Sequence, residues 1–216
     1  MDVSQLVQTV AIYALPVLFA ITLHEAAHGY VARHFGDMTA YAQGRISLNP
    51  ARHIDFIGTI LVPLAILLLS GGRFLFGWAK PVPVNYSALR SPKRHMLWVA
   101  AAGPASNLAM ALGWAILLKL AVLMPMNFFS MPMKLMSEAG VLVNLVFMFL
   151  NLLPIPPLDG GRILTSLLPS RMAWQYAKLE PWGLPLLLLL LATNVLDFVL
   201  VPLVGVSDAL IRALVF

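Results

Sequence analysis

A His-Glu-x-x-His motif at residues 24–28, at the end of a membrane-length apolar run, constrains this chain more than any other feature. Residues 3–23 contain no charged side chain, which is typical of a membrane-spanning helix. On a helix, positions i and i+4 lie on one face, so His24 and His28 can supply half of a tetrahedral zinc shell. Glu25 lies beside that face and can act as a general base on a water. Because ionisable groups at membrane depth are costly and usually functional, the motif predicts a metal site rather than two interfacial histidines.

The composition is that of an integral membrane protein. Of the 216 residues, 60% are hydrophobic and 11% are charged, whereas a soluble domain carries about 25% charge. No polar stretch is long enough for a second core, so residues 1–216 are expected to form a single membrane-embedded domain. Cysteine is absent, so any metal must be held by histidine and carboxylate. The net charge of +5 comes from residues in short loops, which favours membrane topology over a nucleic-acid partner.

The apolar runs predict an all-α polytopic membrane protein with about four to five transmembrane helices. After the first helix, predicted over residues 4–34, the runs lie at residues 56–72, 96–118, 139–158 and 181–204. The run 56–72 is short for a span and contains Pro63, and the two prolines within residues 77–85 favour extended chain. A re-entrant or extended membrane-embedded stretch is therefore expected there.

The polar connections carry weaker signals. Residues 43–48 resemble a short strand, and residues 162–178 resemble a basic, partly amphipathic loop. His53 lies in a basic loop, as do His34 and His95, and the three are expected at the interface.

Zinc needs a third protein ligand, and Asp159 is the best candidate. It follows a stretch with three prolines that forbids regular helix at membrane depth, which is tolerated only inside protein or along a wet cavity. Gly160 and Gly161 let the backbone come close to another group. The alternative is that Asp159 caps the short helix that follows, and the residues alone leave both open. Glu138 and Asp197 are weaker rivals as ligands.

Two amides, Asn107 and Asn151, lie at apparent membrane depth. Their simpler role is hydrogen bonding between helices. Their sharper role is to hold an extended substrate backbone or a tetrahedral oxyanion.

Together these motifs resemble the site-2 protease family of intramembrane zinc metalloproteases, in its minimal prokaryotic form. Residues 24–28 match the family's zinc helix, and residues 151–160 match its second motif, an Asn and Pro run that ends in Leu-Asp-Gly. Residues 103–107 match a third, smaller motif. The resemblance covers residues 18–168, and neither the PDZ-like insertion nor the CBS-like tail of larger relatives is found.

This resemblance implies a zinc-dependent endopeptidase that uses one Zn²⁺ ion to hydrolyse peptide bonds of membrane-spanning substrates in regulated intramembrane proteolysis. It implies three zinc ligands, His24, His28 and Asp159. It also implies Glu25 as the catalytic carboxylate and a role for Asn151 at the substrate. The implied partners are a transmembrane protein or peptide and the lipid bilayer.

The orientation follows from where the ligands lie along the runs. His28 is near the far end of the first helix and Asp159 at the far end of the fourth run, so these ends must lie on one side. One run then does not cross fully, and residues 56–72 are the best candidate. Under that topology 11 of the 14 Lys and Arg residues share one side. By the positive-inside rule that side is cytoplasmic, so we expect a multi-pass protein of the prokaryotic plasma membrane whose active site faces the cytoplasm.

Two other functions remain open from the residues. A metal or ion transporter could use His24, His28 and Asp159 as a transit site, but it has no need of Glu25, and the repeated halves common in transporters are not found. A non-proteolytic membrane binding protein is the second, and the intact Glu25 speaks against it.

Overall fold

The computed structural model describes residues 3–62, 65–66, 77–125 and 127–216. Within these residues the chain is helical and no strand is assigned. The α-helices, in chain order, are α1 (Val3–His34), α2 (Thr39–Ala42), α3 (Pro92–Leu123), α4 (Ser130–Leu152), α5 (Asp159–Leu167), α6 (Ser170–Ala177), α7 (Glu180–Ala192) and α8 (Asp197–Val215). Two 3₁₀ turns, Pro50–Arg52 and Tyr86–Ala88, and one π turn, Phe56–Leu61, lie between α2 and α3.

Four of the described helices, α1, α3, α4 and α8, are long and apolar enough to cross a membrane. Helices suit that environment because their backbone hydrogen bonds are satisfied within the segment. The prediction of an all-α polytopic membrane protein is therefore confirmed.

The core of the bundle is the contact between α3 and α4, and α1 packs against both. Ala111 and Ala115 of α3 face Val141 and Leu145 of α4, and Ile211 of α8 joins them. The first four of these side chains are no more than 2% exposed. Small residues let helix backbones approach closely, which is how helices associate without a hydrophobic driving force between them.

The long connection between α1 and α3 leaves and returns at one end of the bundle. The Arg90 amide donates to the Phe35 carbonyl at 3.0 Å, so α1 ends next to where α3 begins. Farther along the connection, the Trp78 amide donates to the Gly58 carbonyl at 2.9 Å. The chain that departs at Gly58 has therefore come back by Trp78.

The predicted re-entrant stretch, residues 56–72, lies partly outside the described residues. Residues 77–85 are described and carry no helix, as their proline spacing predicts. Their position beside α1 is set by a hydrogen bond between Val82 and the motif helix, described below.

The fourth span begins earlier than the charge-free run predicted. Helix α4 starts at Ser130, not near residue 139, and includes Lys134 and Glu138 in its first three turns. The run of uncharged residues covers only the part of α4 that follows Glu138, because a charged side chain near a helix end can still reach the interface.

The prediction of a basic loop over residues 162–178 is wrong. These residues form most of α5 and all of α6, which are two short helices. Basic side chains suggested a loop, but Arg171 and Lys178 simply occupy exposed positions on and after α6.

The last apolar segment, predicted over residues 181–204 with interruptions at Asn194 and Asp197, forms two helices that separate there. Helix α7 ends at Ala192, and Asn194 takes φ 56°, a left-handed conformation that asparagine tolerates. Asp197 then lies in the first turn of α8, where a carboxylate is favourable against the helix dipole.

Two predictions within the first connection are also corrected. No strand is found at residues 43–48, which follow α2 as turn and irregular chain. His53 is 2% exposed rather than interfacial, and its Nε2 lies 2.8 Å from the Ser47 carbonyl oxygen. The basic neighbours that suggested an interface lie around a folded loop whose centre this ring fills.

Candidate metal and catalytic site

The motif helix α1 brings His24 and His28 together one turn apart, and their Nε2 atoms are 3.1 Å apart. Both rings are also hydrogen-bonded through their second nitrogen, Nδ1. His28 Nδ1 donates to the Val99 carbonyl at 2.7 Å, and His24 Nδ1 donates to Asn107 Oδ1 at 2.6 Å. A ring that donates through Nδ1 in its neutral form presents a lone pair at Nε2, so both rings are prepared as ligands.

Asp159 completes a cluster of three. Its Oδ2 lies 3.2 Å from His24 Nε2 and 3.3 Å from His28 Nε2. The three residues are each no more than 9% exposed. Among the residues described, this is a group of His and carboxylate side chains arranged to hold a metal ion, and neither Glu138 nor Asp197 belongs to it.

The capping alternative for Asp159 receives no support from the contacts. Leu158 occupies the cap position of α5, with no side-chain capping bond, and Asp159 is the first residue of the helix. Among the described residues, none donates a hydrogen bond to its buried Oδ2. A buried carboxylate oxygen without a donor, facing two imidazole lone pairs, is what a cation-binding site requires.

The donor set fits zinc. Two imidazole nitrogens and one carboxylate oxygen are a common three-ligand zinc shell, with the fourth position left for water or substrate. No thiolate is available, since the chain has no cysteine.

Close backbone packing aims Asp159 at α1. A Cβ on Gly160 would lie 2.1 Å from the Leu152 carbonyl oxygen, and one on Gly161 would lie 2.6 Å from Pro156 N. Both positions therefore require glycine, as the sequence predicted. The start of α5 sits directly against the end of α4, and the proline stretch turns the chain between them.

Gly103 provides the room for the two rings. A Cβ there would lie 2.5 Å from both His24 Cε1 and His28 Nε2. Helix α3 thus forms one wall of the metal cluster at Gly103, where the absence of a side chain leaves space for both rings.

Gly103→Ala is expected to weaken zinc binding at least about tenfold, since the new methyl group must displace a ligand ring that the Asn107 and Val99 oxygens hold in place. Zinc affinity can be measured by competition with a chromogenic chelator. Gly113→Ala is the matched control, because it makes the same change on the same helix where a Cβ meets nothing within 4 Å. Equal zinc affinity in the two variants would contradict the wall assigned to Gly103.

Glu25 lies beside the cluster and outside it. The side chain is half-buried, and its Oε2 accepts the Val82 amide proton at 2.7 Å. The bond ties the motif helix to the extended segment, residues 77–85. A carboxylate held next to a metal cluster, but not within it, is positioned to take a proton from a water.

The two asparagines predicted as substrate contacts lie in different surroundings. Asn107 is fully buried behind His24, with its amide nitrogen 3.0 Å from Asn144 Oδ1. Asn151 is half-buried in the last turn of α4, and its Nδ2 donates to the Phe147 carbonyl at 3.0 Å. The contacts of Asn107 indicate orientation of a ligand ring. Neither substrate role is tested by these contacts, and both stay predictions.

Sequence reasoning missed three partners of the site: Val82, Val99 and Asn144. The first two act through backbone atoms, so their side chains carry no signal. Asn144 did carry one, because a second amide seven positions before Asn151 lies on the same face of an otherwise apolar helix.

Tyr86 is a half-buried phenol whose pKa is affected by both Asp159 and Arg162. Burial raises the pKa of the Tyr86 phenol above its usual range, and the negative charge of Asp159 raises it further. The Arg162 guanidinium, 5.2 Å from the ring centroid, opposes both effects on this pKa. Tyr86 therefore stays neutral at physiological pH.

Comparison with known proteins gives consistent results. The sequence model of Peptidase family M50 matches residues 128–191, which include Asn151 and Asp159. The chain is 37% identical over 207 residues to "Putative zinc metalloprotease YwhC" of Bacillus subtilis (strain 168), an alignment that covers 92% of this chain and 88% of that protein. It is 29% identical over 184 residues to "Putative zinc metalloprotease Rip2" of Mycolicibacterium smegmatis, covering 83% of this chain and 66% of that protein. For the protein of the same name in Mycobacterium tuberculosis (strain H37Rv) the identity is 31%, with the same coverage. No solved structure matches the chain at a significant level.

The alignment with the Bacillus subtilis protein extends over 92% of the chain, and the family model covers the proline stretch. Neither match supports a transporter or a non-proteolytic binding protein. The apolar helices and the buried cluster of two histidines and one aspartate agree with them. The chain therefore belongs to peptidase family M50, the site-2 protease family, and is an intramembrane zinc metalloprotease.

Proposed function

We propose that His24, His28 and Asp159 hold the zinc ion of this protease and that Glu25 is its general base. The observation that carries the assignment is the convergence of two prepared imidazoles on a buried carboxylate oxygen without a donor. The described helices form one membrane-embedded domain around this site.

The chemistry divides between the metal and the chain. When bound, zinc polarises the scissile carbonyl and lowers the pKa of a water. Glu25 takes the proton of the attacking water and delivers it to the leaving amine nitrogen. The Val82 amide holds Oε2 of Glu25 by a hydrogen bond, which leaves the other carboxylate oxygen for the proton transfer. Asn107 and the Val99 carbonyl keep the histidine rings in the ligand orientation.

The substrate is a membrane protein whose helix must unwind locally, because helical carbonyls are already hydrogen-bonded. The extended segment, residues 77–85, is proposed to receive the unwound chain as an added strand. Three alternate amides of this segment are used within the protein: Trp78 donates to Gly58, Lys80 to His53 and Val82 to Glu25. On the other edge, Pro81 and Pro83 have no amide proton, whereas Ala79 has one. Pairing on that edge would therefore rely mainly on amide protons of the substrate and carbonyl oxygens of the segment, with the Ala79 amide as a donor from the segment.

Asn151 is proposed to contact the substrate near the site. Its amide nitrogen is engaged with the Phe147 carbonyl, which leaves Oδ1 to accept an amide proton from the unwound chain.

Asn151→Ala is expected to lower turnover about ten- to a thousand-fold, the scale of one lost positioning contact or oxyanion donor. Zinc content and thermal stability should barely change, because Asn151 bonds only within its own helix turn. Turnover of a transmembrane peptide and the melting temperature are measured on the same preparation. If the variant melts early while its folded fraction cleaves normally, Asn151 is structural.

The active site is proposed to face the cytoplasm. The return of residues 36–89 to one end of the bundle supports this, since that connection and the chain after α4 then share a side. The shared side carries most of the basic residues, and cytoplasmic loops are rich in Lys and Arg.

Single cysteines test this orientation, because the native chain has none. Cysteines at Ser47, Ser91 and Ser170 are expected to react with a membrane-impermeant reagent only from the cytoplasmic face. A cysteine at Asn127, in the exposed turn between α3 and α4, is the control and should react only from the opposite face. Labelling of Ser91 and Asn127 from the same face would overturn the topology, and a complete reversal of all four would overturn the orientation alone.

A further inference from the structure

A chain of buried amides lies behind the metal cluster and is not part of it. His24 Nδ1 is 2.6 Å from Asn107 Oδ1, Asn107 Nδ2 is 3.0 Å from Asn144 Oδ1, and Asn144 Nδ2 is 2.9 Å from the Gly140 carbonyl. Asn107 and Asn144 are both 0% exposed. The chain crosses all three core helices, from α1 through α3 to α4.

Its direction is set at the far end. The Gly140 oxygen can only accept, so the Asn144 group that faces it must be the NH₂, and Asn144 Oδ1 must face Asn107. Asn107 then presents its NH₂ to Asn144 and its Oδ1 to His24. The nitrogen of Asn107 also faces the Ala20 carbonyl, at 3.4 Å, which agrees with this direction.

The direction decides how His24 is protonated in its neutral form. An oxygen at Asn107 requires a proton on His24 Nδ1, so the lone pair of the ring is at Nε2, where it faces Asp159. If Asn107 were flipped, its NH₂ would face Nδ1 and favour the other tautomer, in which the proton points into the cluster.

The two histidines differ in how they are fixed. His28 Nδ1 donates to a backbone carbonyl, that of Val99, which no side-chain flip can reverse. His24 depends on a side-chain amide that is symmetric in shape and can rotate by half a turn. Asn144 makes the shorter of the two contacts that give Asn107 its preferred direction, at 3.0 Å against 3.4 Å for the Ala20 carbonyl.

We infer that Asn144 is a positioning residue of the zinc site: through Asn107 it holds His24 in the tautomer and ring orientation that bind the metal. This inference rests on the proposed ligand role of His24 and extends it to a residue on another helix, whose nearest link to the cluster is one amide away. Removing the hydrogen-bond partners that orient a metal-bound histidine commonly lowers metal affinity about 10- to 100-fold.

The test is zinc affinity together with the melting temperature of the zinc-free protein. Asn144→Leu keeps a similar volume and removes both hydrogen bonds, and it is expected to weaken zinc binding about 10- to 100-fold. Ser137→Ala is the matched control. It removes a buried hydroxyl without a partner from the same face of α4, outside the amide chain, and zinc affinity should not change.

A rescue separates positioning from folding. An aspartate at position 107 accepts the His24 Nδ1 proton in either orientation, so it needs no Asn144 to direct it. The double variant Asn107→Asp with Asn144→Leu is expected to recover zinc affinity to within a few-fold of the wild type. If Asn144→Leu lowers only the melting temperature, or if the aspartate does not rescue affinity, Asn144 is merely structural.

Two further measurements keep the inference testable. Should Asn144→Leu fail to fold, Asn144→Asp still decides, because it keeps a carboxylate oxygen facing the Asn107 amide and is therefore expected to bind zinc within a few-fold of the wild type. A tenfold weaker affinity would overturn the inference. Failure of the proposed function looks different: the wild type would bind no zinc, or would bind it equally well after Asp159→Ala.

Discussion

Glu25→Gln is expected to keep its zinc and lose about 10²- to 10⁴-fold in turnover, the range supplied by a positioned general base. Glutamine has the same length and can still accept the Val82 amide proton through its carbonyl oxygen. It cannot take a proton from water. Because Glu25 is outside the ligand cluster, the zinc content should be unchanged.

The measurement is cleavage of a transmembrane peptide in proteoliposomes, with zinc quantified in the same sample. Glu138→Gln provides the control, since it makes the same substitution at a half-buried position of α4 outside the cluster. Turnover near the wild-type rate in Glu25→Gln would show that Glu25 is not the base.

Asp159→Ala is expected to weaken zinc binding by more than about 100-fold, because it removes one of three protein ligands. Substitutions of residues that only hydrogen-bond to a ligand weaken metal binding by about 10- to 100-fold. The two histidines would remain, held by the Asn107 and Val99 oxygens, but two imidazoles alone form an incomplete shell. Cleavage should be lost with the metal, and added zinc should restore it only at high concentration.

Two other acidic residues serve as controls for this substitution. Glu138→Ala and Asp197→Ala remove a carboxylate from α4 and α8 without touching the cluster, and both should keep full zinc occupancy. Equal occupancy in all three variants would remove Asp159 from the ligand set.

The metal cluster could be predicted in large part because its signals are local. A spacing of four residues on a helix decides that His24 and His28 share a face. A proline-broken stretch followed by two glycines predicts a close backbone approach at Asp159. The residues alone left a helix cap as the alternative there, and the ligand role was implied by the family resemblance. The charge-free runs located the spans for the same reason, since bilayer thickness sets their length.

Contacts that depend on tertiary structure could not be predicted. Val82 reaches Glu25 through its backbone amide, and a backbone amide has no sequence signature. Asn107 and Asn144 are 37 positions apart in the chain, and the sequence around each residue does not predict that the two side chains are in contact. The same holds for His53, whose basic neighbours gave no sign that the loop folds around it.

The predicted helix boundaries were wrong where charge and hydrophobicity do not follow the helices. The last apolar run is predicted as one segment with interruptions at Asn194 and Asp197, and the left-handed conformation of Asn194 separates it into two helices. The basic stretch after Asp159 reads as a loop because charge suggests exposure, and exposed helices such as α6 have the same composition. At α4 the interfacial charges of Lys134 and Glu138 masked the helix start.

The most direct test of the account is zinc K-edge X-ray absorption on the purified wild-type protein. The ligand set of His24, His28 and Asp159 predicts one zinc per chain, with two imidazole nitrogens and a carboxylate oxygen at about 2.0–2.2 Å. The imidazole scattering should persist in Glu25→Gln. A shell of oxygen atoms without imidazole, or a spectrum with a single imidazole, would contradict the proposed site.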